Sequence, residues 1–160
     1  MDSTDLQQFL DDEAIRAEIV HLASSTPTVE AAAQAAGCRP EEIGKSILFL
    51  ANGVPYLVIA NGTTRVGYKA LADYLAISRK RLKLANADQV VDITGYPVGT
   101  VPPFGHPERL PTIIEERVMN QEIIYVGGGA INALMRLSTA ELLRSSQAKI
   151  VSLPHPSDPE

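Results

Sequence analysis

Residues 94–105 constrain the fold more than any other stretch, because three glycines and three prolines fall within these twelve residues. Proline fixes φ and lacks an N–H donor, while glycine opens positive φ, so the stretch is neither a helix interior nor a central strand. The apolar side chains among them, Tyr96, Val98, Val101 and Phe104, predict a loop that packs against the protein body. A loop of fixed shape on a rigid scaffold is a common location for a functional site.

The composition indicates one globular domain. A chain of 160 residues buries roughly 70% of the surface that its unfolded form exposes. The net charge of −5 confines any nucleic-acid contact to a local basic patch. The single cysteine, Cys38, excludes an internal disulfide and a cysteine-cluster metal site. With no leader and no apolar run of membrane-spanning length, we expect a cytoplasmic protein without membrane contact, metal or cofactor.

Local patterns predict an α+β domain over residues 1–153, with a mixed sheet and a disordered proline-rich tail at 154–160. Asn52-Gly53 between two apolar runs predicts a hairpin, and Asn86 with Gln89 and Ser138 with Glu141 predict capping boxes. A continuing helix fits residues 15–22 almost as well as a strand. The predicted helices are one capped by Thr4, residues 28–37, 67–75 and 86–95, and one after Ser138. The predicted strands are 15–22, 45–51, 55–60, a short one at Leu82 and Leu84, 112–115, 123–126, 134–137 and 148–153.

Two features offer chemistry, each with a structural alternative. Lys45 opens an apolar strand, where it is either a snorkelling surface lysine or a fixed cation for a phosphate or carboxylate. Gly127, Gly128 and Gly129 follow a strand and form either a tight turn or a loop whose N–H groups converge on an anion or a carbonyl oxygen. The glycine pattern is neither a dinucleotide fingerprint nor a Walker loop, so nucleotide binding is poorly supported.

The remaining polar residues carry less information. His21, His106 and His155 form no recognisable triad, and no metal-ligand spacing is present. A basic run has two upstream neighbours, Arg65 and Lys69, and is either a solvated face or a contact to a nucleic-acid phosphate backbone. Its members are Arg79, Lys80, Arg81 and Lys83.

Five motifs together resemble one family. They are Lys-Ser at 45–46, Leu-Lys-Leu-Ala at 82–85, Thr-Gly-Tyr-Pro-Val-Gly-Thr-Val-Pro-Pro at 94–103, Arg-Leu-Pro-Thr-Ile-Ile at 109–114 and Tyr-Val-Gly-Gly-Gly at 125–129. In this order and spacing the chain is similar, from about residue 28 to 153, to the YbaK/prolyl-tRNA-synthetase-associated domain family. The resemblance implies a single α+β domain with a strongly curved, barrel-like sheet flanked by helices. It also implies a free-standing aminoacyl-tRNA deacylase that hydrolyses the ester of tRNA mischarged with a small amino acid.

The resemblance also implies roles for individual residues. Lys45 matches the pocket lysine, Gly99 the glycine of the substrate loop, and residues 127–129 the glycine loop that faces it. Some members carry a serine where Gly127 stands and an aspartate where Leu134 stands, so the identity of the amino acid does not transfer. We therefore expect a catalytic set of Lys45, Gly99, Gly127 and Gly128. The expected substrate contacts are Ser46, Val98, Thr100, Val101, Gly129 and Asn132.

The expected partners are aminoacyl-tRNA and an aminoacyl-tRNA synthetase. The expected tRNA contacts are Arg65, Arg79, Lys80, Arg81 and Lys83. The sequence does not decide between monomer and dimer. Because it offers no side-chain base, a non-catalytic tRNA- or synthetase-binding module with the same fold is the alternative function.

Overall fold

The computed structural model describes residues 1–159, and Glu160, the last residue of the predicted tail, lies outside them. The chain runs through α1 (Ser3–Asp12), β1 (Ala17–His21), α2 (Val29–Ala36), β2 (Gly44–Ala51), β3 (Val54–Asn61), α3 (Tyr68–Tyr74), β4 (Leu82–Leu84), α4 (Ala87–Thr94), β5 (Thr112–Glu115), β6 (Ile123–Gly127), β7 (Ala133–Ser138), α5 (Thr139–Ser146) and β8 (Lys149–Val151). Single 3-10 turns cover Pro40–Glu42, Arg79–Arg81 and Glu116–Asn120.

The strands form two sheets. An antiparallel sheet has the order β1-β7-β6, and a mixed sheet has the order β4-β2-β3-β5-β8, in which β5 runs parallel to β3 and to β8. A single bridge between Ile43 and Tyr125 connects them. The predicted α+β class and mixed pairing are confirmed. No closed barrel forms among residues 1–159, so the barrel-like part of the prediction is not confirmed.

Helix ends follow their capping residues. Asn86 and Gln89 form the predicted reciprocal capping box of α4, which ends at Gly95 with φ of +83°. The helix α1 begins earlier than predicted, because the Asp2 carboxylate, and not Thr4, caps it. The predicted box at α5 is only half formed. Ser138 accepts from the Glu141 N–H, but the Glu141 carboxylate binds Arg144 and the backbone N–H of Arg16 instead.

The β2–β3 hairpin determines which way the site residues face. Asn52 and Gly53, at φ of +52° and +81°, close it as a two-residue turn. Alternate residues of β2 lie on opposite faces. Leu48 packs in the main core, whereas Phe49 packs in a second cluster under α3. Lys45 is therefore on the α3 side of the sheet and Ser46 on the main-core side.

The segment after β8 contacts the body of the domain. The Leu153 carbonyl accepts from the Gly67 N–H at 3.0 Å, and Arg117 donates to the Asp158 carboxylate at 3.0 Å. The division of the chain after residue 153 and the disorder of the tail stay predictions.

Candidate active site

A cavity of about 460 Å³ lies between the start of β2, the loop at residues 94–105 and the β6–β7 connection. Six of the residues predicted from sequence line it: Lys45, Ser46, Val98, Gly99, Val101 and Gly127. Four others do not: Thr100, Gly128, Gly129 and Asn132. The fold thus brings together segments of β2, β6 and the proline-rich loop that are far apart in sequence.

The proline-rich loop has a fixed shape. The Thr100 N–H donates to the Pro97 carbonyl at 3.1 Å, and Gly99 has φ of +85°, which makes residues 97–100 a type II turn. The Thr100 carbonyl accepts from the Gly129 N–H at 3.0 Å, so the two loops are joined behind the cavity wall. Tyr96 anchors the loop in the core, where burial, with the charges of Asp5 and Asp2, raises its pKa to about 12.

The glycines of the two loops are needed for different reasons. A Cβ on Gly127 would overlap the Val101 carbonyl, and one on Gly128 would lie 2.7 Å from the carbonyl carbon of Ala133. Both glycines therefore allow close approach of protein backbone. A Cβ on Gly99 would meet no atom within 4 Å, so only its positive φ demands glycine.

Alanine at these positions is expected to separate folding from function. Gly128→Ala should lower the midpoint of thermal unfolding markedly, because the backbone of residues 133–134 must move. Gly99→Ala should cost only about 1–2 kcal/mol of stability and should mainly slow turnover. Thermal melts and single-turnover ester hydrolysis of both variants check this. Equal melting temperatures for the two variants would contradict the inference that Gly128 is required for a close backbone contact.

Lys45 lines the cavity, and a backbone carbonyl fixes its ammonium. Its Nζ donates to the Thr64 carbonyl at 3.2 Å. Burial, and then the charge of Arg65, lower the pKa of the Lys45 ammonium from its usual value. A backbone carbonyl leaves two of its three donors free, so the ammonium is oriented without being neutralised by a carboxylate.

Ser46 carries an unsatisfied polar group at the cavity. Its Oγ is buried and has no hydrogen-bond partner among the described residues. A buried hydroxyl without a partner costs about 1–3 kcal/mol, and the hydroxyls of Tyr96 and Ser145 share this state. The contact of Ser46 with substrate therefore stays a prediction.

Ser46→Ala is expected to leave stability unchanged or raise it, and to lower the affinity for the bound ester about tenfold. The reason is that only the ligand-bound state uses the hydroxyl. Ser145→Ala is the matched control, because Ser145 Oγ is also buried and unpartnered but lines a different cavity. Melts and KM measured for all three proteins check this. A Ser46→Ala variant with parental KM would show that this hydroxyl is only a packing defect.

Sequence patterns missed part of the wall. The hydroxyl-rich segment at residues 25–28 lines one side, and Ile131, Ala133 and Leu134 line another. The Leu22 N–H donates to the Asn132 carbonyl at 2.6 Å and β1 pairs with β7, which brings these two segments together. The run Ser-Ser-Thr-Pro-Thr at 24–28 could have indicated this part of the wall, but by itself it predicts only a turn followed by a helix N-cap.

The wall carries little acid–base chemistry. Lys45 is the one ionisable side chain on it. His106 lies in a separate cavity of about 290 Å³, where it binds the Pro102 carbonyl at 2.8 Å and burial lowers its pKa. Residues 1–159 contain no group of three metal-ligating side chains. The Gly99 N–H has no acceptor within these residues and is available to a bound carbonyl oxygen.

The predicted basic patch lies at the opposite end of β2 from Lys45. The Arg81 carbonyl accepts from the Asn52 N–H, and β4 pairs with the last residues of β2. Ala51 is six positions along the strand from Lys45, a span of about 20 Å. Arg79 is engaged within the protein, because it stacks over Tyr68 at 4.9 Å and donates to the Leu82 carbonyl.

The aminoacyl-tRNA editing domain family matches residues 23–145, which include every residue of the cavity wall. The chain belongs to this family. The resemblance seen in the sequence motifs is thereby confirmed. Within the described residues, no helix of the editing domain is long and apolar enough to cross a membrane.

Solved structures of similar proteins share the fold of this editing domain. One, from a protein proposed to be a trans-editing enzyme for prolyl tRNA synthetase, has a TM-score of 0.89 at 28% identity, covering 96% of both chains. Another, the hypothetical protein APE2540, has a TM-score of 0.85 at 28% identity, covering 93% of this chain and 98% of the other. The uncharacterized protein YwhH of Bacillus subtilis (strain 168) is 24% identical over 134 residues, 83% of each chain.

Proposed function

We propose that this editing domain is an aminoacyl-tRNA deacylase that hydrolyses the ester of tRNA mischarged with a small amino acid. The observation that carries the proposal is the cavity itself. Its lining includes Lys45, whose ammonium is held by one backbone carbonyl, and Gly99, whose N–H has no acceptor among the described residues. A cation and a free N–H on two segments that meet at one cavity suit a ligand that combines an ester with a sugar phosphate.

The reaction needs little from the protein. Water adds to the ester carbonyl carbon, the bond to the ribose oxygen breaks, and the free amino acid and the tRNA hydroxyl leave. The Gly99 N–H is suited to the carbonyl oxygen, on which negative charge develops, and its turn holds it in place beforehand. Since the wall has no side-chain base, a ribose hydroxyl beside the ester or a loop carbonyl orients the attacking water through a hydrogen bond, and the proton of the water goes to the departing ribose oxygen.

Lys45 is assigned to binding and orientation. A charged lysine is a poor base, and an ammonium fixed by a backbone carbonyl suits the phosphate or sugar of the terminal nucleotide. Its bond to Thr64 restricts the flexible stem, which lowers the cost of holding the substrate in one geometry.

The wall favours an uncharged acyl group. Val29, Ala32 and Ile43 supply apolar surface on the inner side, and no carboxylate lies on the wall to pair with a cationic side chain. Synthetases discriminate a single methylene by only about 1–3 kcal/mol, so small uncharged amino acids are the ones for which a separate hydrolytic site is needed.

The basic patch is proposed to contact tRNA phosphates remote from the ester. A distance of about 20 Å corresponds to roughly six stacked nucleotides at 3.4 Å each. Arg65 lies near Lys45 and is proposed to contact the terminal nucleotides instead. A synthetase partner, which would deliver the mischarged tRNA, is also part of the proposal.

Lys80→Gln with Lys83→Gln is expected to weaken tRNA binding and to reduce the slope of log affinity against log salt by about one to two units. Both side chains are exposed. Lys149→Gln, on β8 at the other edge of the same sheet, is the matched control. Filter binding at several salt concentrations measures the slope. An unchanged slope in the double variant would make the patch a solvated face.

Release of amino acid from a panel of mischarged tRNAs, with substrate in excess over protein, tests the function. A deacylase releases many molecules of amino acid per protein molecule. It acts faster on tRNA that carries an amino acid of the size of alanine, serine or cysteine than on tRNA that carries a larger one. The absence of turnover on every tRNA, together with measurable binding, would instead support the non-catalytic module.

A further inference from the structure

The outer wall of the cavity is unusually apolar for an exposed surface. Val98 is 59% exposed and Ile131 is 71% exposed, and both line the cavity. Each is at the tip of a loop, and the bond from the Gly129 N–H to the Thr100 carbonyl joins the two loops. Large aliphatic side chains held in water beside a site mark a surface that a ligand covers.

The volume of the cavity also indicates that a ligand larger than the aminoacyl group occupies it. At about 30 Å³ for each water molecule, 460 Å³ corresponds to roughly fifteen waters. A small aminoacyl group of about five heavy atoms fills roughly a third of that space. Most of the cavity is therefore left for another part of the substrate.

We propose that Val98 and Ile131 form the binding surface for the adenine base of the terminal nucleotide of tRNA. This inference rests on the proposed function, because the aminoacyl ester is attached to the ribose of that nucleotide. With the ester at Gly99, the adjacent Val98 is next to the attached nucleoside, and Ile131 lies on the loop that is bonded to the Val98 loop. A flat, weakly hydrated ring buries more apolar surface against two branched aliphatic side chains than the ribose or the phosphates do.

The surface makes the site selective for adenosine esters over simple esters. The acyl group and the ester contact the inner wall in both cases, so only the adenosine ester uses Val98 and Ile131. This selectivity is a property of substrate binding and is separate from the chemical step.

The test compares alanyl-adenosine with alanine methyl ester for the parent protein and for Val98→Ala with Ile131→Ala. The expected result is a loss of about tenfold or more in kcat/KM for the adenosine ester, at least about fivefold larger than the loss for the methyl ester. Val54→Ala with Val91→Ala is the control, because these valines are also exposed but lie away from the cavity. Equal losses on both esters, or no loss on either, overturn the inference.

Affinity for alanyl-adenosine linked by an amide, which cannot be hydrolysed by ester cleavage, is measured by calorimetry on the same proteins. About tenfold weaker binding by the double variant supports the adenine surface even if the parent shows no turnover, in which case only the proposed hydrolysis fails. Parental affinity in the double variant, or no binding by the parent, overturns the adenine surface.

Discussion

Lys45→Ala is expected to lower single-turnover deacylation of the best mischarged tRNA by at least about 100-fold. Lys45 supplies the one cation on the cavity wall, and a misplaced ester loses roughly this factor in rate. The melting temperature should change little, since among the described residues the ammonium makes only one hydrogen bond, to the Thr64 carbonyl, and has no paired carboxylate. Lys45→Arg should recover part of the rate, because the planar guanidinium presents its donors in a different geometry.

Lys69→Ala is the matched control for this experiment. Lys69 is an exposed lysine on α3 that pairs only with Asp73, so its loss should leave the rate unchanged. If Lys45→Ala hydrolyses the tRNA at the parental rate, Lys45 is a snorkelling surface residue and the cavity is not the active site.

Arg117→Ala is expected to have the largest effect on stability. The Glu115 side chain is 1% exposed, and its carboxylate accepts from the Arg117 guanidinium and from the Leu153 N–H. Removing the arginine leaves a buried carboxylate without its counter-charge, which costs about 3–5 kcal/mol. Arg117 also donates to the Arg65 carbonyl and to Asp158, so the variant loosens the segments on either side of Glu115.

Chemical denaturation of three variants separates the causes. Arg117→Ala combined with Glu115→Gln should recover part of the lost free energy of unfolding, because an amide side chain is uncharged and leaves no buried charge without a partner. Asp158→Asn should cost no more than about 1 kcal/mol, because its pair with Arg117 is partly exposed. A loss below 1 kcal/mol for Arg117→Ala alone would show that the buried carboxylate is stabilised by other groups.

Local chemistry made much of the fold predictable. The Asn52-Gly53 turn, the Asn86–Gln89 capping box and the loop around Gly99 depend on residues that are neighbours in sequence, and the structure has all three. Lys45, Ser46 and Gly99 were predicted as site residues because they fall where a strand begins or a loop bends, and because the motif order resembles a family. All three line one cavity, and their roles stay predictions.

The long-range arrangement was not predictable from local chemistry. The split into two sheets depends on β1 pairing with β7, and no local pattern in residues 17–21 specifies that partner. The same pairing places residues 25–28 opposite Ile131 and Leu134, so half of the cavity wall is visible only in three dimensions. The capping role of Glu141 failed as a prediction because Arg144 and the Arg16 N–H bind its carboxylate more favourably.

The most direct test of the account is to record amide NMR spectra of the protein during titration with amide-linked alanyl-adenosine. We predict that the amide signals of Lys45, Ser46 and Gly99 shift together and saturate at one ligand concentration, while those of Gly37 and Gly53 stay in place. Saturating shifts confined to the second cavity, at Phe104, Gly105 and His106, would contradict the assignment of the active site.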